Sequence, residues 1–247
     1  NRVEFSGQWG DRLTGQFRID APELATLWPD VRGRLRGTGT VGGTAARPAL
    51  DLDLVGSELA TGDLRIGSLQ ARGGLDARQR LAFDAAAADI AFAGQPVGNL
   101  TLGVAGPVSG YALQLALTGG EVEVELGGTG SYRDGIITQT VATGLVTVPG
   151  DQRWSLREPA TVRVAGREVA VTAHCWALGD AELCLAESGA GAQGFHAGLD
   201  LRRFPLDTLS PWVPDDIGLA GTVTSAVTVR SERGVVTGSL LGSLADA

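Results

Sequence analysis

The chain has 247 residues, 43% of them hydrophobic but only 5% aromatic, with 37 glycines and a formal net charge of −8. That acidic balance argues against a nucleic-acid binder, which needs a basic footprint. All 20 basic residues are arginine, and the absence of lysine excludes a Walker A loop, a Schiff base and a Ser-Lys dyad.

In chain order, the first departure from strand-like sequence is APELATLWPDVRG, from Ala21 to Gly33, which reads as a helical turn or two ending in the Pro29-Asp30 step. Strand follows in GRLRGTGTV, and then period-two alternation dominates. Leu50, Leu52 and Leu54 alternate with Asp51 and Asp53. LAFDA and DIAFAG place Leu81, Phe83 and Phe92 in later strands, and NLTLGVAG continues the pattern. Tyr111, Leu113, Leu115 and Leu117 share one face, and Val122, Val124 and Leu126 lie opposite Glu121, Glu123 and Glu125. Val162 and Val164, then Val169 and Val171, flank a Gly166-Arg167 turn that sets valine opposite valine. FPLDTLSPWVPDDIG repeats the early motif: a short helix, the Pro214-Asp215 step, a glycine and new strand. The chain therefore carries an internal repeat that begins near residue 21 and again near 205.

Gly-rich turns punctuate these segments, so the expected fold is mainly β, an antiparallel meander with short helices near 21–29 and 205–213. At about 12 residues per strand and turn there would be roughly 20 strands, a sheet on the order of 100 Å long at ~4.8 Å each. A sheet that long must curl, split or close, because strands twist. The alternation alone is compatible with a closed, dry sandwich core or with a curled, open trough. The chain starts at Asn1 and stops in strand-like sequence, so a fragment of a longer protein is expected.

Few residues suggest chemistry. Gly189 to Gly194 fits G-x-G-x-x-G, but the following FHAGLDLRRF alternates like strand, where a dinucleotide site needs a helix. DLDLVG lacks the glutamate that closes an EF-hand loop. Asp215-Asp216 reads as a capped turn and His196 as a surface or rim residue. With two histidines and no nucleophile elbow, neither enzymatic activity nor a cofactor is expected.

The cysteines lie in VTAHCWALGDAELCLAE. A two-residue Gly179-Asp180 turn sets Cys175 directly opposite Cys184 as a non-hydrogen-bonded pair, where Cα atoms approach closest and a disulfide can form. Buried free thiols are the alternative. A metal would need more ligands than two cysteines and His174, which faces the other side of the strand from Cys175. A bridge would imply an oxidising compartment. Val169, Val171 and Cys175 share a face in this reading, yet Trp176, Leu183 and Leu185 make the other face apolar too, so either a bulge switches faces here or both sides are covered.

LWPDVRGRLRGTGTVGG, followed by Gly43-Thr44, Pro48, the alternating Leu50 to Leu54 and the set Leu64, Ile66 and Leu69, resembles the repeating unit of the TamB family, subunits of the translocation and assembly module. WSLREPATVRVAGREVAVTAHCWALGDAELCL, with Trp154 and Pro159 before a strand pair and a Cys-Trp hairpin, resembles the same family, and the alternation is shared with AsmA-like bridge-like lipid transport proteins. The resemblance favours the open trough. It implies a periplasmic protein anchored in the inner membrane of a diderm bacterium, with a single β-groove running through residues 1–247. It also implies an Omp85-type (TamA-like) outer-membrane barrel as partner, and roles in phospholipid passage and outer-membrane protein assembly, including that of autotransporters. The implied lipid floor is Leu50, Leu52, Leu54, Leu81, Phe83, Phe92, Leu113, Leu115, Leu117, Val122, Val124, Leu126, Val162, Val164, Val169 and Val171.

Overall fold

The computed structural model describes residues 1–214 and 216–245; the Asp215 half of the second Pro-Asp step, and with it the Asp215-Asp216 turn, lies outside the described residues. Nineteen strands and two 3₁₀ helices make up the described chain, and the strand pairings are antiparallel. The short helices fall where the Pro-Asp motifs predict them, at Leu24–Thr26 and Leu206–Trp212, each between two strands. They are 3₁₀ rather than α, as suits segments of one or two turns. The chain divides into two compact units, residues 1–125 and 126–247.

The first unit holds β1 (Arg2–Trp9), β2 (Leu13–Ala21), β3 (Val31–Thr44), β4 (Arg47–Thr61), β5 (Leu64–Leu75), β6 (Arg80–Phe92), β7 (Gln95–Pro107) and β8 (Tyr111–Thr118). Each pairs with the next in sequence. The β6–β7 hairpin turns at Ala93-Gly94, both with positive φ, the type I′ geometry that matches strand twist.

The second unit holds most of β9 (Glu123–Arg133), with β10 (Ile136–Val148), β11 (Gln152–Leu156), β12 (Ala160–Ala165), β13 (Glu168–Val171), β14 (His174–Leu178), β15 (Ala181–Leu185), β16 (Ser188–Gly191), β17 (Gly194–Pro205), β18 (Thr222–Glu232) and β19 (Val235–Ala245). Its short strands are halves of broken long ones. The two ends of β10 pair with β12 and β11, β12 and β11 pair with β13 and β14, and β16 and β15 both pair with β17. The breaks at residues 157–159, 172–173 and 186–187 line up as a crease across neighbouring strands. There the ladder is carried by irregular bonds, Arg157 N–H to the Cys175 carbonyl at 2.8 Å and Ala186 N–H to the Gly198 carbonyl at 2.9 Å.

The first unit has a matching crease. Gly33 and Glu58 on β3 and β4, Gly67 on β5, Asp89 on β6 and Gly98 on β7 follow one another across the sheet. Gly33, Glu58, Asp89 and Gly98 all have positive φ, which reverses the local pleat. Beyond this line the apolar side chains change parity: Leu54 gives way to Leu59, Leu69 to Ile66, and Phe83 to Ile90.

Among the described residues no large side chain is fully buried, and the buried apolar set is Leu13, Leu24, five alanines and Cys184. A chain of this length ordinarily closes a sizeable core; here the sheet does not.

Candidate functional site

Residues directly opposite one another on antiparallel strands share a face, so the register of the first unit reads as rows across eight strands. One row runs Phe5, Phe17, Gly39, Leu52, Gly73, Phe83, Val104, Leu113. The next is Val3, Ile19, Gly37, Leu54, Ala71, Ala85, Leu102, Leu115, and a third is Ala21, Leu35, Gly56, Leu69, Ala87, Leu100, Leu117. Leu50 and Leu81 join Val41 and Leu75 in a fourth. None of these rows holds a charge or a hydrogen-bonding side chain. On the opposite face a parallel row reads Glu4, Arg18, Thr38, Asp53, Arg72, Asp84, Gly103, Gln114. The alternation of the sequence has become a two-faced sheet, apolar on one side and charged on the other.

Large side chains of the floor lean over small ones on the next strand. A Cβ at Gly15 would stand 3.0 Å from the Phe5 ring, and Gly37 and Gly39 leave room for Leu54 and Phe17 in the same way.

In the second unit Val162 pairs with Val171 and Val164 with Val169, as the Gly166-Arg167 turn predicts. That face continues through Ala190 to Phe195. Across the crease it takes up Trp176, Leu183 and Leu201, then His174, Leu185 and Leu199. Trp154 stacks on Phe204 at 6.1 Å between ring centroids, and Trp176 packs over Gly144 and Leu156.

The two parities of the cysteine stretch are thereby reconciled. The break at Thr172-Ala173 shifts the chain by one residue, so Val169, Val171 and Trp176 share the apolar face and Cys175 points to the other side. Cys175 pairs with Cys184 in the expected register and is joined to it by a disulfide, with a Cα separation of 4.0 Å. Asp200 and Ala226 extend that opposite row. His174 faces away from the cysteines, and its Nδ1 lies 2.9 Å from the Thr172 carbonyl. The Gly189–Gly194 stretch is the end of β16, the Ala192-Gln193 turn and the start of β17, with His196 exposed opposite Gly189.

None of the sixteen floor residues expected from the sequence is buried. Leu50, Phe92, Val122 and Val169 are exposed and the others intermediate. Phe92 reaches the apolar face through the parity change, opposite Leu64. Val122 differs from expectation: it precedes β9, which starts at Glu123, so only Val124 and Leu126 of that set stand in regular strand. Sequence reading missed the contributions of β1 and β2, where Val3, Phe5, Phe17 and Ile19 alternate across a short turn, and those of the Trp176 side of the second crease.

These features define a class of antiparallel β proteins whose sheets keep one apolar face uncovered. The chain belongs to the TamB family: the family model described as "TamB, N-terminal domain" matches residues 1–239. It is similar to the translocation and assembly module subunit TamB of Haemophilus influenzae, 25% identical over 218 residues, covering 85% of this chain and 17% of that relative. The chain thus spans less than a fifth of that relative's length. No solved structure matches it. No helix among the described residues is long and apolar enough to cross a membrane, which says nothing about strands.

Proposed function

We propose that this chain is a groove-bearing segment of a periplasmic translocation and assembly module subunit, and that its apolar floor carries phospholipid acyl chains between the inner and outer membranes. In this reading the groove, with its motif repeated near residues 21 and 205, belongs to a parent protein anchored in the inner membrane of a diderm bacterium. Other parts of the parent engage an Omp85-type, TamA-like barrel.

The observation that carries the reading is that the fifteen apolar floor residues standing in strands, and Val122 just before β9, are all left at least partly open to solvent. A protein seldom exposes a wide apolar strip without an occupant for it. Acyl chains suit the strip because they need contact and no hydrogen bonds, and the rows offer none. At ~0.8 kcal/mol per CH₂, withdrawing about thirty methylenes from a bilayer costs on the order of 20 kcal/mol. A continuous floor offsets that cost along the whole path, while the headgroup stays in water.

The test is photocrosslinking in cells. Crosslinkable residues at Leu52, Leu115 and Val164 are expected to capture phospholipid, and Leu115→Arg or Val124→Asp to block its passage. Capture only from an outward position such as Glu123 would overturn the reading.

A second reading is a scaffold that templates nascent outer-membrane strands by strand addition at a sheet edge. Saturable binding of unfolded barrel segments would support it.

A further inference from the structure

The floor of the first unit meets a recess at the crease. Leu35 and Leu69 of the third row, with Leu59 and Ile66 beyond Glu58 and Gly67, line a cavity of ≈ 300 Å³, with Leu24 and Trp28 standing over it. Thr61 supplies the one polar side chain in its wall. The cavity is partly open to solvent, and its lining includes Thr61 and Leu64, which flank the β4–β5 turn.

The cover is built differently from the walls. Leu24 is only 4% exposed and anchors the 3₁₀ turn, whereas Trp28 is 56% exposed. The Trp28 N–H bonds the Leu24 carbonyl at 2.9 Å, and the Trp28 carbonyl accepts from Val31 N–H at 2.9 Å. The Asn1 side chain bonds the Glu23 carbonyl at 2.6 Å, tying the turn to the start of β1. The backbone of the cover is therefore fixed, and the indole is held over a space that the protein itself does not fill.

An apolar cavity about half this size stays dry and takes up a hydrocarbon ring. At about 30 Å³ per water-sized group, this one holds roughly ten methylene-sized groups. It adjoins the third floor row at Gly56, which lies between Leu35 and Leu69 and where a Cβ would come within 2.9 Å of the Leu59 Cδ1. A slender, flexible, wholly apolar segment fits such a site. A carboxylate or phosphate does not, because no cation lines the wall and Thr61 is its one polar side chain besides the indole N–H.

We infer that this recess is an end-stop that receives the methyl-terminal segment of a single acyl chain beneath Trp28. The inference rests on the floor being an acyl-chain surface and adds a discrete site to it. It makes the first unit a place where a chain pauses in one orientation, tail under the 3₁₀ turn and polar end directed back along the floor.

The test uses the whole chain and two long-chain fatty acids, one brominated at its methyl end and one next to its carboxylate. Bromine quenches a tryptophan only near contact. The Trp28 component is the difference between the wild type and Trp28→Phe, a change at a half-exposed position that leaves the sheet untouched. The expected result is stronger quenching of that component by the terminally brominated acid. Ile66→Phe, which takes up cavity volume, is expected to weaken binding in this mode by about fourfold for each methylene excluded, at ~0.8 kcal/mol each. Circular dichroism of that variant should match the wild type. Equal or stronger quenching of Trp28 by the carboxylate-side bromine overturns the end-stop. So does quenching confined to the other tryptophans, which leaves the floor reading standing. Absence of any quenching or binding defeats both.

Discussion

Leu54→Arg separates an open floor from a closed core by the size of its cost. Leu54 is half-buried and lies between Gly37 and Ala71, so no bulky neighbour is displaced by a longer side chain. Full burial of a leucine is worth about 1.5–3 kcal/mol; half of that, less what the arginine stem recovers by lying along the floor, leaves a loss of about 1 kcal/mol. The guanidinium reaches water and needs no partner. In a closed core the same change would strand an unpaired charge and cost roughly 3–5 kcal/mol. Urea unfolding followed by circular dichroism measures the difference. A loss above about 3 kcal/mol, or failure to fold, would refute the open-floor argument. The same variant is expected to reduce lipid capture at the neighbouring Leu52.

Four further outcomes follow from named contacts. The denatured, unreduced protein should show no reactive thiol. Replacing both cysteines with alanine should cost about 2.5 kcal/mol in the chain-entropy account of so short a loop, seen as a lower urea midpoint. Gly144→Ala would bring a Cβ to 2.5 Å from the Trp176 Cη2, so a loss of about 1–3 kcal/mol and a shift in tryptophan emission are expected; unchanged emission would show that Trp176 does not pack there. Gly33→Ala, at φ +110° with its Cβ 2.5 Å from the Glu58 carbonyl oxygen, should lower stability by about 2 kcal/mol, read as a drop in thermal midpoint.

The strands and much of their register were legible because two-residue turns leave little freedom. Once Gly166-Arg167 and Gly179-Asp180 are placed, the pairings Val162–Val171 and Cys175–Cys184 follow, and the structure has both. Which face each side chain takes was harder to read. Parity reverses at Glu58 and Asp89, non-glycine residues with positive φ; aspartate enters that region more readily than most residues, but glutamate gives no such signal. The trace they leave is a spacing: Ile66-x-x-Leu69 is a step of three inside a run of twos, as is Val171-x-x-His174. Read as breaks in a face, such steps locate both creases. The recess beneath Trp28 had no comparable signal, because it depends on a 3₁₀ turn meeting strands that come later in the chain.

The consecutive pairing of β1 through β8 bears on how the chain acquires its fold. Each strand needs only the one before it, so no distant segment has to be found and no long loop closed before the next hairpin forms. A polypeptide delivered gradually, amino end first, can zip up hairpin by hairpin while the rest is still arriving. Stability accrues in the same increments, each interface between neighbours adding its own share. Whole hairpins can then be gained or lost in evolution without rebuilding what precedes them.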